Sequence, residues 1–551
     1  MIPIRYTKEM FDRLTKEGYW GEAVDYVQEN ARKYPDKEAL VDSKSRLTFS
    51  QVKEKSDCLA FGFLEMGLKK DQRILIQIPN VVEYFIVRSA LKKAGLIGLY
   101  TMLYLRHKEI EFACKRTEAV GVVIVAEFRG VDYFKMIQEV RPNLPDLKYV
   151  FVVGDQVPEG AISIKEMMER PLEKKYPPDY FEKTRIQPGE VVELRMTSGT
   201  TGFPKLTESS FGGSSAVGEA LKERYKVTND DILAALAPLT GGGSGPLCKV
   251  VAQIEGCKVV MLERFETEEA LKLIEREKVT FATGVPAIMA KMVRHPDLEK
   301  YDLSSLRVFQ TTGAYLPPAV AKEVEERMGC RVVNRLGGID LGIAASTSVD
   351  DPPEVRLTSV GKPMPGIMVK LIDEQGQEVP QGEVGEVIFG SKTGAGADRG
   401  YYRDLKATLE RETQGLTRTG DLGKFDEQGN LYIVGRRKDM IIRGGQNIFP
   451  AEIESMLITH PKVLDVAIVG MPDPVMGEKA CAYVIPKPGQ ALAFDEMVSF
   501  LLEKKIAKYK LPERLELVDS FPMSGDGQKI MKRELTEEVT RKLKAEGVLH
   551  M

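Results

Sequence analysis

The segment Thr197–Lys205, T-S-G-T-T-G-F-P-K, concentrates groups that can do chemistry. Hydroxyls of Thr197, Ser198, Thr200 and Thr201 alternate with the flexible Gly199 and Gly202, and such a loop can wrap N–H and O–H donors around a polyphosphate. Lys205 adds a charge able to meet a departing phosphate. The spacing differs from G-x-x-x-x-G-K-[ST], so this is not a Walker loop. Composition alone leaves a plain Ser/Thr/Gly surface turn equally open. Histidine is scarce: His107, His295, His460 and His550 are the only four. None sits near a Gly-x-Ser-x-Gly elbow or in H-E-x-x-H, and all four are expected at the surface. Hydrolase triads and zincin chemistry therefore lose support. Backbone amides, lysine, arginine and carboxylates remain, a set suited to phosphate handling.

Such a loop must be positioned by larger elements. Residues 50–67 place apolar side chains at helical spacing, I-L-I-Q-I-P follows as a strand, and 82–94 reads as a second helix stopped by Gly95. V-G-V-V-I-V, Y-V-F-V-V-G and V-V-M-L read as buried strands. This alternation predicts an α/β fold with largely parallel sheets. With 551 residues the chain exceeds one ordinary core. The expected break lies at 437–439, giving a large N-terminal lobe of layered sheets and helices (1–437) and a small mobile α+β C-terminal lobe (438–551).

Net charge is −3, which advertises no nucleic-acid or anionic-lipid surface. No apolar run reaches membrane-spanning length and the N-terminus lacks a signal-peptide core. The six cysteines show no C-x-x-C pair, so a reducing, cytoplasmic setting is expected.

T-S-G-T-T-G-F-P-K resembles the phosphate loop of the adenylate-forming superfamily, which comprises acyl- and aryl-CoA synthetases, carrier-protein adenylation domains and luciferases. Further segments resemble that family in order: I-P-N-V-V-E-Y, T-T-G-A-Y-L-P-P, L-G-G-I-D, G-Y-Y-R-D, L-T-R-T-G-D, G-R-R-K-D-M-I-I-R-G-G-Q-N-I-F-P-A-E-I-E and Q-K-I-M-K-R-E-L. They span nearly the whole chain.

The resemblance implies a role for each matching position. Lys205 and the loop from Thr197 to Gly202 would hold the phosphates of ATP, and Gly313, Ala314, Leu336 and Gly337 the adenine side. Asp421 would accept the ribose hydroxyls, a task suited to a two-oxygen acceptor. Arg436 would reach ribose or phosphate, with Arg437 left in solvent. Lys438 falls at the hinge about which the C-terminal lobe turns between half-reactions. Gly444 and Gly445 would offer a backbone edge to the pantetheine arm of CoA, flanked by Arg443; a tight turn between strands is the equally weighted alternative for the two glycines. Lys529 is identified with the catalytic lysine that bridges carboxylate and α-phosphate. Its loop carries one residue more than usual when counted from Pro522.

Other departures stand out. Asp340 replaces the family's magnesium-binding glutamate, a substitution that ligation through water would tolerate. Leu336 replaces an adenine-stacking aromatic, and Ile339 stands where many relatives have threonine. Hydroxybenzoate-specific relatives carry a His-Asn pair where this chain has Pro238-Leu239-Thr240-Gly241-Gly242-Gly243-Ser244-Gly245. Gly241, Gly242 and Gly243, with Gly338, are read as an acid pocket, or else as a tight helix start. The expected acid is small and cyclic, aromatic or alicyclic, and held mostly by apolar contacts. Without a fused carrier module CoA is the expected thiol. A stand-alone adenylation enzyme loading a carrier protein and a non-catalytic nucleotide-binding relative remain as alternatives; an oxygenating luciferase is a remote one. The direction of the reversible reaction and a homodimeric state are left open.

Overall fold

The computed structural model describes residues 16, 20, 23–177, 179–183, 186–197, 204–391, 400–525, 527 and 529–549. Of the phosphate-loop positions, Ser198, Gly199, Thr200, Thr201 and Gly202 lie outside the described residues, as does His550.

Two large sheets dominate the N-terminal domain. In the first, the strands Arg331–Gly338, Val308–Thr312, Phe281–Gly284, Ile232–Ala235, Lys258–Met261 and Glu38–Val41 run parallel in that spatial order. Antiparallel strands close its two edges. In the second, Ile97–Tyr100, Arg73–Gln77, Gly121–Val125 and Tyr149–Val153 are parallel, with Val191–Met196 beside Ile97–Tyr100 and Leu206–Ser210 antiparallel at the edge. Strands buried on both faces read as continuous apolar runs, which is how the sequence revealed them.

The helices Phe49–Glu65 and Val82–Lys93 join the sheets into one core. Leu59, Phe63, Phe85 and Ile86 cluster with Ile74 and Ile76 of the second sheet and Leu40 and Leu233 of the first. Phe49–Glu65 starts at a Thr48–Gln51 capping box and ends two residues sooner than the periodicity of 50–67 suggested. Gly67, at φ +82°, marks the reversal. Helix Val82–Lys93 is buried nearly throughout, yet it carries Arg88 inward.

An antiparallel sheet built on Ile367–Ile372, Gly385–Ser391, Leu416–Phe425 and Leu431–Arg436 follows. The smaller C-terminal domain has its own sheet, Ile441–Arg443, Gln446–Ile448, Val463–Asp473, Gly477–Pro486 and Arg514–Leu517, and its own core around Ile453, Ile468, Val484 and Leu501. The fold is thus the mixed α/β architecture expected.

His460 corrects the surface expectation for histidine. It is buried in the C-terminal domain, edge-on to Phe500, with Glu496 3.7 Å away. Burial pushes its imidazole below the ordinary value, so it is neutral packing material. The six cysteines are all buried and free. No described helix is long and apolar enough to cross a membrane.

Candidate active site

One cavity of about 1590 Å³ opens between the two large sheets and the C-terminal domain. At one end stands the neck of the phosphate loop. The Thr197 amide donates to the Lys205 carbonyl (2.9 Å), and the Lys205 amide returns a bond to Thr197 Oγ1 (3.0 Å), so the two ends of the loop are tied together. The Lys205 ammonium lies 4.6 Å from the centre of the Tyr401 ring. Tyr401 is brought there by strand-like pairing of residues 401 and 402 with Thr207 and Leu206.

Asp340 shares this end. Its Oδ2 accepts from the Tyr401 hydroxyl (2.8 Å) and from Arg411 Nη1 (2.5 Å). Burial, with Asp340 alongside, pushes the Tyr401 phenol up, so it stays a neutral donor. Magnesium would have Asp340 Oδ1 as its protein oxygen here. Among the described residues no three acidic, histidine or cysteine side chains gather around a metal position.

Leu336, Gly337, Gly313 and Ala314, expected on the adenine side, line the cavity. Leu336 is half-buried against Val360 and Leu431. A Cβ on Gly337 would come within 2.4 Å of the Gly342 carbonyl, so strand pairing itself requires glycine there. Asp421, on strand Leu416–Phe425, receives Arg436 Nε at Oδ1 (2.9 Å) from the adjacent strand. Burial raises its carboxyl above the ordinary value, with Arg436 and Lys529 opposing. Arg437 is exposed, as expected, and its Nη1 donates to buried Glu386 (3.1 Å), a carboxylate that Arg418 also pairs at 3.2 Å.

Lys529 reaches the cavity from the C-terminal domain. Its backbone closes a hairpin: the Ser524 amide donates to the Lys529 carbonyl (2.7 Å), the Lys529 amide to Ser524 Oγ (2.9 Å), and Met523 pairs with Ile530. Gly525 sits so close to Tyr104 that a Cβ would be 2.6 Å from its ring, which seats the hairpin on the N-terminal domain. Lys438 also lines the cavity, in the turn Arg437–Asp439. Arg443, Gly444 and Gly445 do not. Gly444 (φ +54°) and Gly445 (φ +82°) form the two-residue turn between Ile441–Arg443 and Gln446–Ile448, and Arg443 pairs with Glu513.

Another part of the cavity wall holds the glycine segment. A Cβ on Gly242 would meet nothing within 4 Å, whereas one on Gly245 would strike the Leu239 carbonyl at 2.7 Å and one on Gly243 would strike Ala237 at 2.9 Å. Gly242 thus leaves room, and its neighbours permit the tight start of the following helix. Gly241 and Gly338 line the same space. Paired charges also line this part of the cavity. Arg88 Nε donates to Glu193 Oε1 (2.5 Å), and Lys249 Nζ lies 3.7 Å from Glu193 Oε2. Arg88 Nη1 also holds the Lys249 carbonyl and Gln253 Oε1, both at 3.1 Å. Arg335, buried, donates to the Gly242 carbonyl. These residues come from separate helices and strands, and no local spacing signalled them; only the charges inside otherwise apolar elements did.

Comparisons with known proteins agree with this geometry. Residues 27–402 match the family described as AMP-binding enzyme, and 452–528 the AMP-binding enzyme C-terminal domain. The chain is 31% identical to the 2,3-dihydroxybenzoate-AMP ligase of Bacillus subtilis strain 168, covering 98% of this chain and 97% of that protein. It is 30% identical to the 2-hydroxy-7-methoxy-5-methyl-1-naphthoate–CoA ligase of Streptomyces carzinostaticus, over 95% and 94% of the two chains. The crystal structure of anthranilate CoA ligase AuaEII in complex with anthranoyl-AMP superposes with a TM-score of 0.86 at 25% identity, covering 97% of this chain and 99% of that one.

Proposed function

Since the chain belongs to the AMP-binding enzyme family of acid-activating ligases, we propose that it is an AMP-forming acyl-CoA synthetase acting on a small cyclic carboxylic acid. The observation that carries this reading is a single cavity lined by Lys205, Asp421, Arg436 and Lys529 together. The ring-acid preference is supported by the room at Gly242 and by relatives whose names specify benzoate, naphthoate and anthranilate substrates.

In the first half-reaction an acid oxygen attacks the α-phosphate of ATP in line. The bond from that phosphorus to the bridging oxygen breaks, and its electron pair leaves with pyrophosphate. Lys529 stabilises charge on the non-bridging oxygens and fixes the carboxylate, while Lys205 faces the leaving group. Asp421 accepts the ribose hydroxyls through the oxygen that Arg436 leaves free. Bound magnesium would supply charge neutralisation on the phosphates, with Asp340 as its protein oxygen. In the second half-reaction the C-terminal lobe turns about Lys438, withdrawing Lys529 and bringing Arg443–Gly445 to the CoA arm. The sulfur then attacks the acyl carbonyl, its proton is lost, and AMP departs. The exchange is reversible.

The test is ATP–pyrophosphate exchange over a panel of aromatic, alicyclic and linear acids, followed by thioester formation with CoA and with a carrier-protein thiol. Exchange with ring acids and capture by CoA is expected. Exchange without CoA capture would favour a carrier-loading enzyme, and tight ATP binding without exchange for any acid would identify a non-catalytic relative.

A further inference from the structure

We propose that Arg411 is a second cation of the pyrophosphate site, acting beside Lys205 on the departing phosphates. The inference rests on the acid-activating reading above and assigns it a residue that none of the sequence motifs marks. Arg411 follows the short helix Leu405–Glu410. Its Nε donates to the Arg418 carbonyl (3.2 Å), and its Nη1 is shared among Asp340 Oδ2, the Asp340 carbonyl (3.3 Å) and the Tyr401 hydroxyl. Among the described residues Nη2 has no acceptor. The side chain is 18% exposed and lines the cavity.

Its placement matters more than its bonds. The guanidinium carbon lies 5.6 Å from the centre of the Tyr401 ring, the same ring that the Lys205 ammonium approaches to 4.6 Å. One phenol therefore spaces two cations, and the pairing of residues 401 and 402 with Thr207 and Leu206 fixes that ring to the strand leaving the phosphate loop. Asp340 is the single carboxylate bonded to either cation among the described residues, so the group carries a net positive charge next to the loop neck at Thr197. Pyrophosphate, which leaves with several negative charges, supplies what this group lacks. Guanidinium is the side chain best shaped for it, because its fork offers parallel N–H donors to two phosphate oxygens.

Chemically, Arg411 transfers no proton. As the acid oxygen bonds to the α-phosphorus and the bridging bond breaks, Nη2 and the Lys205 ammonium donate hydrogen bonds to the oxygens that take the electron pair. In reverse, the same donors hold pyrophosphate while it attacks the adenylate and releases the carboxylate. Asp340 and Tyr401 act here as holders of Arg411, which leaves Asp340 Oδ1 for magnesium.

Two measurements test this. First, pyrophosphate is titrated calorimetrically into the wild-type chain and into Arg411→Met and Arg411→Lys, with magnesium and without acid. Affinity should fall about 30-fold in Arg411→Met, the scale of losing a partly desolvated charge partner, and Arg411→Lys should recover part of it. Equal affinity in all three overturns the proposal whether or not any acid is turned over. Second, in ATP–pyrophosphate exchange the KM for pyrophosphate should rise in Arg411→Met while the KM for the acid and thioester formation from preformed adenylate hold. A raised acid KM with unchanged pyrophosphate KM would reduce Arg411 to a brace for Asp340. Intact thioester formation verifies that the variant is folded; absence of exchange in the wild type would count against the acid-activating reading alone.

Discussion

Two parts of the cavity wall handle charge in opposite ways. At the phosphate end Lys205, Arg411, Asp340, Asp421 and Arg436 remain at least partly open, each with donors or acceptors still to spend. At the glycine-segment side, which the proposed function makes the acid end, Arg88, Glu193 and Lys249 are about 95% buried and largely spend their charges on one another. The Lys249 ammonium lies over the faces of Tyr84 and Tyr100, at 5.8 and 5.3 Å. Burial pushes it down to about 8, with Glu193 opposing. Open charges are poised for a ligand, whereas buried ones hold a wall in place. A given substitution should therefore damage chemistry at one end and stability at the other.

The largest effect expected is at Glu193. Glu193→Gln leaves the Arg88 and Lys249 charges without a carboxylate in the interior, a loss of about 3–5 kcal/mol for breaking a buried ion pair from one side. Chemical denaturation reads it. Burial works against ionising Glu193, but Arg88 and then Lys249 outweigh it and hold the carboxyl below the ordinary 4.5. A depressed carboxyl stabilises the fold above its unfolded value, and that contribution is lost as pH falls through the folded value. The gap between wild type and Glu193→Gln should accordingly narrow in acid. A gap that is small at neutral pH would mean the acid end does not depend on this network.

Lys529→Ala comes next and strikes the other side of the comparison. Losing a charge partner to the transition state should raise the adenylation barrier by about 3–4 kcal/mol. Stability should barely change, because the side chain projects into the cavity rather than into a core. Thioester formation from preformed adenylate should also hold, since the lobe has then carried Lys529 away. Equal loss in both half-reactions would remove Lys529 from the adenylation role and weaken the contrast between the two ends.

The same contrast explains what was legible in the sequence. Several phosphate-end residues fall within short runs of the chain. T-S-G-T-T-G-F-P-K and T-G-D are therefore visible as words. Parallel strands were legible for a similar reason: Gly121–Val125 and Tyr149–Val153 are buried on both faces and read as unbroken apolar runs. Acid-end residues arrive singly. Arg88 bonds Glu193 across 105 positions and reaches the Lys249 carbonyl across 161, so no window of sequence contains the network. Arg411 escaped notice because its partners, Asp340 and Tyr401, lie 71 and 10 residues away on other elements. His460 was misjudged because polarity alone says little about a ring that packs edge-on to Phe500.

Leu336 gives the smallest and most local test. It is half-buried against the cluster of Val360 and Leu431 and lines the cavity. If adenine rests there, an apolar branched side chain gives it contact area but no ring face. Leu336→Phe should add an offset-stacked pair worth about 0.5–1.5 kcal/mol, seen as a lower KM for ATP with kcat held, because ground state and transition state gain alike. The acid KM should stay fixed, since the glycine segment at 241–243 forms a different part of the wall. A fall in affinity for both ATP and acid would instead mean that the larger ring overfills the contact with Val360 and Leu431, and that this position acts by packing rather than by touching the base.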